Sequence, residues 1–150
     1  MVTSRMVVGA QGFLRSMDAP VIVVAGLISK TAHEPPFLMS RRLPDAHLGG
    51  FWEFPGGKLE ADETPEVALR RELKEELDID VEVGEIFAVG HHIYPTKTIL
   101  LLVYRAVVVT GEVKCKAVAE FAWLNAECVV GLNLPPADEP VLARLKREYL

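Results

Sequence analysis

Apolar positions follow two different periods along the chain, and the first of them predicts strands. Residues 21–28 form a nearly continuous β-branched run, which predicts a strand that is buried on both faces. Shorter or alternating apolar runs predict further strands at residues 37–41, 81–89, 98–109 and 121–124. Stretches rich in glycine, proline and aspartate separate these runs and predict turns. The chain is therefore dominated by strands.

Helical spacing appears in three stretches. Thr64 suits an N-cap and Pro65 the first helical position, and leucines then recur on one side as far as Leu77. Asn125 can cap a brief helix, and Asp138 can cap a final amphipathic one. Because strands outnumber helices and the sequence has no repeat or linker, we predict one compact α/β (α+β) unit.

The composition limits the classes of protein to which the chain can belong. Its 150 residues are half apolar, which is enough for one domain with its own core. The net charge of −5, from 16 basic and 21 acidic residues, argues against general binding to a nucleic-acid polymer. The longest apolar run, residues 99–104, is too short to span a bilayer. We expect a monomer or weak dimer that has neither a nucleic-acid polymer nor a membrane as partner.

Two features bear on location and on the domain boundary. Cys115 and Cys128 fit neither a metal-binding spacing nor a disulfide framework, so we expect a reducing, cytoplasmic location. Residues 1–19 have no acid before Asp18 and too little apolar sequence for a secretory signal. We expect a disordered N-terminal extension or a misassigned start codon there, and we favour both over an organelle transit peptide. We expect a single domain over residues 20–150.

Acidic side chains gather on one side of the helix that begins at Pro65. At 100° per residue, Glu72, Glu75 and Glu76 fall within about 100° of one another, where like charges cost roughly 0.2–0.5 kcal/mol per pair. A divalent cation would reverse that cost, and Mg²⁺ with few side-chain ligands usually accompanies a phosphate substrate. The alternative, a solvated glutamate-rich helix, explains neither this clustering nor the glycine pair before it. The pattern favours a magnesium site.

The same stretch carries a family resemblance. The spacing of the Nudix box, GX5EX7REUXEEXGU, is matched by Gly57, Glu63, Arg71, Glu72, Glu75 and Glu76. Residues 52–58 resemble the lead-in to the box in the MutT branch, and residues 134–141 resemble the C-terminal base-recognition segment of that branch. From about residue 21 onward, the chain is therefore similar to MutT-type Nudix hydrolases.

This resemblance implies a fold, a reaction and a set of site residues. The fold is the Nudix fold, a mixed β-sheet sandwiched between α-helices. The reaction is Mg²⁺-dependent attack of water on a nucleoside triphosphate, which releases the monophosphate and pyrophosphate; Mn²⁺ could substitute. The implied metal ligands are the Gly57 carbonyl and the side chains of Glu72, Glu75 and Glu76. The implied catalytic residues are these glutamates and Arg71, which we expect to orient a box carboxylate or Glu63. The general base would be Glu72 or Glu75.

Two positions depart from the family pattern. Asp78 replaces the last glycine of the box, and since aspartate tolerates the left-handed conformation, we expect a cost in stability and not in activity. A further metal-binding acid of the family would fall at Ala117, counted back from Trp123. Glu120 could replace it, although we favour an exposed structural role for Glu120. The missing acid leaves open a Nudix-fold module that binds a nucleotide without cleaving it.

Residues outside the box carry the choice of base. By position, the resemblance implies substrate contacts at Arg42, Glu53, Phe54, Lys58, Tyr94, Lys97 and Asp138. Several have a simpler alternative: Arg42 as a solvated loop charge, Phe54 as a core residue, and Tyr94 as part of a turn. Lys97 stands where the oxidised-guanine enzymes often have arginine, so it lacks the planar fork of a guanidinium.

Asp138 is the most informative of these residues, although capping the last helix would be its simplest role. The enzymes that cleave oxidised dGTP typically have asparagine here, and an ionised aspartate cannot donate to O6 of 8-oxoguanine. It would suit an exocyclic amine, as in cytosine, unless a closed pocket raises its pKa. We place 8-oxo-dGTP, in a role of nucleotide-pool sanitation, narrowly ahead of CTP or 5-methyl-dCTP. The short loops disfavour a dinucleotide or a nucleotide sugar.

Overall fold

The structure is a computed structural model, and it describes residues 5–8, 14–17 and 19–150. Strands β1 (Arg5–Val8) and β2 (Leu14–Met17) pair antiparallel as a separate two-stranded sheet. Strand pairing therefore occurs at residues for which the sequence predicts disorder. Residues 1–4, 9–13 and 18 lie outside the described residues, and the domain boundary at residue 20 stays a prediction.

A seven-stranded mixed sheet forms the centre of the described structure. Its strands are β3 (Val21–Ser29), β4 (Phe37–Arg41), β5 (Trp52–Glu53), β6 (Gly56–Lys58), β7 (Asp80–Ile93), β8 (Thr98–Thr110) and β9 (Glu120–Leu124). Their order is β5-β4-β3-β8-β7, with β6 paired to β3 and β9 to β4. β3 and β8 run parallel along the whole of β3, whereas the other pairs are antiparallel. The strands predicted from the apolar runs are confirmed, with shifts at their ends.

Helices cover both faces of this sheet. They are α1 (Pro65–Leu77), α2 (Ala126–Val130) and α3 (Glu139–Tyr149), with a 3₁₀ turn at Pro136–Asp138. Successive residues of β3 point to opposite faces, so Val24 packs with Leu73 of α1 while Leu27 packs with Leu145 of α3. This arrangement confirms the predicted mixed sheet between helices. Among the described residues, no helix has the length and apolar character needed to cross a membrane.

Helix α1 begins and ends where the sequence predicts. The Thr64 hydroxyl accepts a hydrogen bond from the Val67 N–H at 3.3 Å, and Pro65 takes the first helical position. At the other end, Asp78 adopts the left-handed conformation with φ 57° and ψ 36°, and its N–H donates to the Lys74 carbonyl. Both cap predictions are confirmed. The two caps set the ends of α1, and the ends determine which of its residues face the sheet and which face the region above β6.

Two elements differ from the sequence prediction. β7 continues to Ile93 because His91, His92 and Ile93 pair with β8, so the connection to β8 is a tight turn closed by Tyr94 N–H and the Lys97 carbonyl at 2.8 Å. Asp138 precedes α3 but makes no side-chain capping hydrogen bond, because its backbone is in the right-handed helical conformation of the 3₁₀ turn. The predicted capping role of Asp138 is therefore wrong.

Candidate functional site

A cavity of about 420 Å³ lies where β6, the C-terminal half of α1 and the 3₁₀ turn converge. The sequence-predicted site residues in its lining are Arg42, Glu53, Phe54, Gly57, Lys58, Glu72, Glu76, Tyr94, Lys97 and Asp138. Glu75 and Arg71 are outside this lining. The fold thus brings most of these residues together from separate parts of the chain.

The glycine pair allows α1 to approach the sheet closely. β6 pairs with β3, so that Gly56 faces Ala25 and Gly57 faces Val24. A Cβ at Gly56 would overlap the Val24 carbonyl, which is backbone and cannot move aside. A Cβ at Gly57 would meet the Glu72 carboxylate and displace it. The glycines therefore determine where the Glu72 side chain can lie.

Arg71 organises the carboxylates beside the cavity. Its Nη2 and Nε contact the two carboxylate oxygens of Glu63 at 2.7 and 3.1 Å, and Nη2 also donates to the Lys58 carbonyl at 3.1 Å. Its Nη1 donates to Glu72 Oε1 at 2.9 Å and lies 3.4 Å from Glu75 Oε2. The hydrogen bond from Arg71 is the main cause that lowers the pKa of Glu63. With these contacts Arg71 can orient carboxylates without reaching the cavity.

Glu76 carries a half-buried carboxylate with one fully buried oxygen, and the charge of Arg42 offsets only part of its burial. Its Oε2 has no hydrogen-bond partner within the described residues. Burial raises the pKa of Glu76 to about 8, with further contributions from the negative charges of Glu72 and Glu53. A carboxylate left in this state is costly unless a cation is nearby. The site thus has an acidic end that favours a positive charge.

The acidic end fits a hard divalent cation, although it is not a preassembled cage. The orphaned Glu76 oxygen and the Glu72 carboxylate over Gly57 are oxygen donors of the kind that Mg²⁺ prefers. In the described part of the chain, no three acidic, histidine or cysteine side chains are grouped closely enough to hold a metal ion as they stand. Glu75 is 61% exposed in its side chain and contacts Arg71. Its predicted role as a ligand stays a prediction.

Basic side chains also line the cavity. Arg42 Nη1 donates to Glu53 Oε2 at 2.9 Å, and its Nε donates to the His47 carbonyl. Burial and the nearby charges of Lys58 and Arg42 lower the pKa of Lys97. Burial, together with the charges of all three of these cations, lowers the pKa of His47. This concentration of positive charge next to an acidic end suits the phosphates of a nucleotide.

The far end of the cavity is enclosed and contains Asp138. This residue is 6% exposed, and burial raises its pKa to about 7, with a smaller contribution from the charge of Glu53. Phe54 is both a core residue and part of the lining. The Tyr94 hydroxyl accepts a hydrogen bond from the Ala137 N–H at 3.4 Å. This end presents a carboxyl group and two aromatic side chains, which suits a flat heterocycle with polar edges.

The loop before β5 also contributes lining residues that the sequence analysis did not select. His47 and Leu48 line the cavity, and Leu48 has a positive φ of 54°. Loop residues have no periodic signal, so only the assembled structure shows that they face the site. A histidine within a basic, glycine-rich loop is the feature of the sequence that could have pointed to them.

Neither the position of the missing acid, Ala117, nor Glu120 brings a carboxylate to the cavity lining. The Ala117 N–H donates to the Glu76 carbonyl at 3.3 Å, so this segment covers the end of α1 with backbone and brings no carboxylate. Glu120 lies on β9, where its Oε1 is 2.9 Å from Arg41 Nε, and it is outside the cavity lining. These contacts agree with an exposed structural role for Glu120.

Comparisons with known proteins agree on one family. The model of the NUDIX domain matches residues 24–144. The 8-oxo-dGTP diphosphatase of Escherichia coli is 38% identical over 83% of this chain and 95% of that protein. The CTP pyrophosphohydrolase of the same organism is 33% identical over 80% of this chain and 87% of that protein. The crystal structure of a MutT protein from Methanosarcina mazei superposes with a TM-score of 0.76 at 29% identity, over 89% of this chain and 98% of that one.

Proposed function

The chain belongs to the Nudix hydrolase family, and on that premise we propose that it is a MutT-type nucleoside triphosphate pyrophosphohydrolase. The proposed reaction converts 8-oxo-dGTP, or a similarly modified nucleotide, to the monophosphate and pyrophosphate. The observation that carries the proposal is one cavity lined by the α1 carboxylates Glu72 and Glu76, by three cations and by the buried carboxyl group of Asp138. These groups are the ones needed for a metal, a triphosphate and a base.

Mg²⁺ is the proposed cofactor, with Mn²⁺ as a substitute. The residues that would hold it are the Gly57 carbonyl, Glu72 and Glu76, with Glu75 from the outer side of α1. When bound, the ion would neutralise phosphate charge and lower the pKa of a water molecule. The buried and orphaned Glu76 oxygen supports this assignment.

The side chains of this chain would perform the remaining tasks. Arg42, Lys58 and Lys97 would bind the phosphate oxygens, because all three cations line the cavity. Arg71 would hold Glu72 in place through the hydrogen bond of 2.9 Å. A carboxylate of α1, Glu72 or Glu75, would accept the proton of the attacking water. The scissile bond lies between the α- and β-phosphates, since pyrophosphate is the product.

Asp138 supports the choice of base. With a pKa of about 7, a neutral carboxyl group is present at and below neutral pH. A neutral carboxyl can donate to O6 of 8-oxoguanine and accept from its N7–H, whereas the ionised form can only accept. The similarity to the 8-oxo-dGTP diphosphatase of Escherichia coli points the same way. We therefore propose oxidised dGTP as the preferred substrate.

A CTP-type pyrophosphohydrolase is the second candidate. An ionised Asp138 would accept from the exocyclic amine of cytosine, and the similarity to a CTP pyrophosphohydrolase favours this reading of the same pocket. A module that binds nucleotides without cleaving them has only Ala117 in its favour. We also propose a cytosolic location and a monomer or weak dimer; the free thiols of Cys115 and Cys128 support the location.

Pyrophosphate release tests these alternatives directly. The purified protein is assayed with Mg²⁺ against 8-oxo-dGTP, dGTP, CTP and 5-methyl-dCTP. We expect the highest kcat/KM for 8-oxo-dGTP, and no product when EDTA removes the metal. A clear preference for the cytosine nucleotides would reverse the order of the two candidates. Tight Mg²⁺-dependent binding without product would favour the binding module.

A further inference from the structure

We propose that Gly90 and Tyr94 are positioning residues, which hold the backbone of Ala137 at its carbonyl and at its N–H and thereby place Asp138 against the base. This inference rests on the proposed function, because it concerns how the same pocket selects its nucleotide. It assigns a role in base selectivity to β7, a strand that contributes no residue to the Nudix box.

Gly90 lies directly against the backbone of the 3₁₀ turn. It is a buried residue of β7, paired with Leu101 of β8. A Cβ at this position would overlap the Ala137 carbonyl oxygen. The obstacle is backbone and not the end of a flexible side chain, so it could be relieved only by moving the turn. Gly90 has no positive φ, so the glycine is required for space and not for backbone conformation.

Tyr94 holds the N–H of the same residue, Ala137. Its hydroxyl accepts a hydrogen bond from the Ala137 N–H at 3.4 Å. Its ring is held in turn by an edge contact with His92, with 4.5 Å between the ring centroids. The N–H of Ala137 is therefore anchored by Tyr94, and its carbonyl rests on Gly90. Together the two contacts locate the backbone of Ala137 against β7 and the turn that follows it.

The position of the Ala137 backbone determines where the Asp138 side chain points. Asp138 is the next residue, and its side chain makes no capping hydrogen bond with α3 that would fix it independently. Behind it, Arg144 Nη1 donates to the Phe87 carbonyl, so α3 is tied to β7 as well. Helix α1, which carries the box carboxylates, packs on the other face of the sheet and shares none of these contacts. A displaced turn would therefore change base selection more than the chemical step.

Gly90→Ala tests the steric half of this inference, and Gly84→Ala is its matched control. Both glycines lie on β7, but a Cβ at Gly84 has its nearest neighbour, the Arg105 carbonyl, at an ordinary 3.5 Å. We expect Gly90→Ala to lower the ratio of kcat/KM for 8-oxo-dGTP to that for CTP by about tenfold, since displacements on the order of 1 Å weaken oriented contacts strongly. The lower ratio should arise mainly from a higher KM for 8-oxo-dGTP. Gly84→Ala should keep the wild-type ratio.

Tyr94→Phe tests the other half and separates positioning from stacking. It removes one oxygen and keeps the ring, so stacking on a base would survive while the anchor to Ala137 is lost. Because a single long hydrogen bond contributes modestly, we expect the same ratio to fall about threefold. Thermal unfolding of all variants is followed in parallel. Loss of stability alone would lower kcat/KM for both substrates equally and leave their ratio unchanged.

Several outcomes would overturn the inference. If Gly90→Ala and Tyr94→Phe are folded and keep the wild-type ratio, β7 does not position Asp138. If Gly90→Ala does not fold, Tyr94→Phe decides alone. If the wild type cleaves no nucleotide, the proposed function fails, and the variants are then compared by calorimetric binding of 8-oxo-dGMP and CMP. Unchanged relative affinities in that comparison overturn the inference separately, and a wild type that binds neither overturns both.

Discussion

The two ends of the cavity are built in different ways. At the acidic end, the contacts are local: Arg71 reaches Glu63 only eight residues away, and a glycine pair and one helix supply the rest. At the base end, Tyr94 contacts Ala137 across 43 residues of sequence, and Arg144 contacts Phe87 across 57. A continuous stretch of chain forms the first end, whereas the tertiary fold assembles the second.

The two ends also differ in how their carboxyl groups are stabilised. Glu72 accepts a hydrogen bond from Arg71, and that arginine is held by Glu63 and the Lys58 carbonyl. Asp138 sits in an enclosed pocket where burial, more than any charge, raises its pKa. We infer that chemistry and specificity can change independently in this protein, because different contacts maintain them.

The largest effect should come from the acidic end. Glu76→Gln should lower kcat by about 10³-fold for every nucleotide alike, because it removes a carboxylate that the proposed metal and water chemistry require. The exposed Glu127→Gln serves as the control. In metal-free buffer the variant should unfold at a temperature no lower than the wild type, since a neutral amide relieves a buried, orphaned carboxylate. Near-wild-type turnover would remove Glu76 from the site.

A smaller, substrate-dependent effect should come from the base end. Asp138→Asn should raise the kcat/KM ratio of 8-oxo-dGTP to CTP by about tenfold above neutral pH, because the amide can donate where an ionised carboxylate cannot. In the wild type, KM for 8-oxo-dGTP should rise as the pH passes about 7, and in the variant this rise should disappear. The exposed Asp45→Asn is the control. An unchanged pH profile would contradict the assignment.

The same residue should leave a signature in stability. The folded-state pKa of Asp138 is about 7, well above the unfolded value of about 3.9. The folded protein therefore holds an extra proton between these values, and the contribution of Asp138 to stability falls as the pH rises from about 4 to about 7. Asp138→Asn should remove that part of the decline in urea unfolding. A variant that follows the wild-type profile would show that Asp138 titrates normally.

The smallest effect should come from Asp78, at the C-terminal end of α1. This residue is part of the box sequence but has no proposed role in the reaction. Asp78→Gly should raise the free energy of unfolding by about 0.5–1 kcal/mol, because glycine adopts the left-handed conformation at no steric cost. The lost contacts with Lys74, Lys114 and Lys116 span 3.5 to 4.0 Å and are partly exposed, so they should offset little. Denaturant unfolding measures the gain, and kcat/KM should not change. A net loss would mean that the lysine contacts dominate.

Sequence reasoning succeeded where the determinants are local. The ends of α1 follow from Thr64, Pro65 and Asp78, each of which acts on backbone groups within one turn. The double-sided burial of β3 follows from its own apolar run. Because the acidic end is contiguous with these elements, the grouping of Gly57 with Glu72 could be predicted from the spacing of the box.

Sequence reasoning failed where contacts with another segment determine the local structure. β7 runs past its predicted end because β8 offers partners as far as Ile93. Asp138 resembles a helix cap in sequence, yet the preceding 3₁₀ turn takes its backbone out of the capping conformation. Gly90 is one glycine in a strand, and only the approach of Ala137 shows what it is for.

A crystal structure with Mg²⁺ and 8-oxo-dGMP would test the central claim most directly, because both ends of the cavity would be seen at once. We expect the ion against Glu72, Glu76 and the Gly57 carbonyl, the phosphate near Arg42 and Lys97, and the O6–N7 edge of the base facing Asp138. A base held elsewhere, or an ion that bypasses Glu76, would contradict the division of this cavity into a reaction end and a base end.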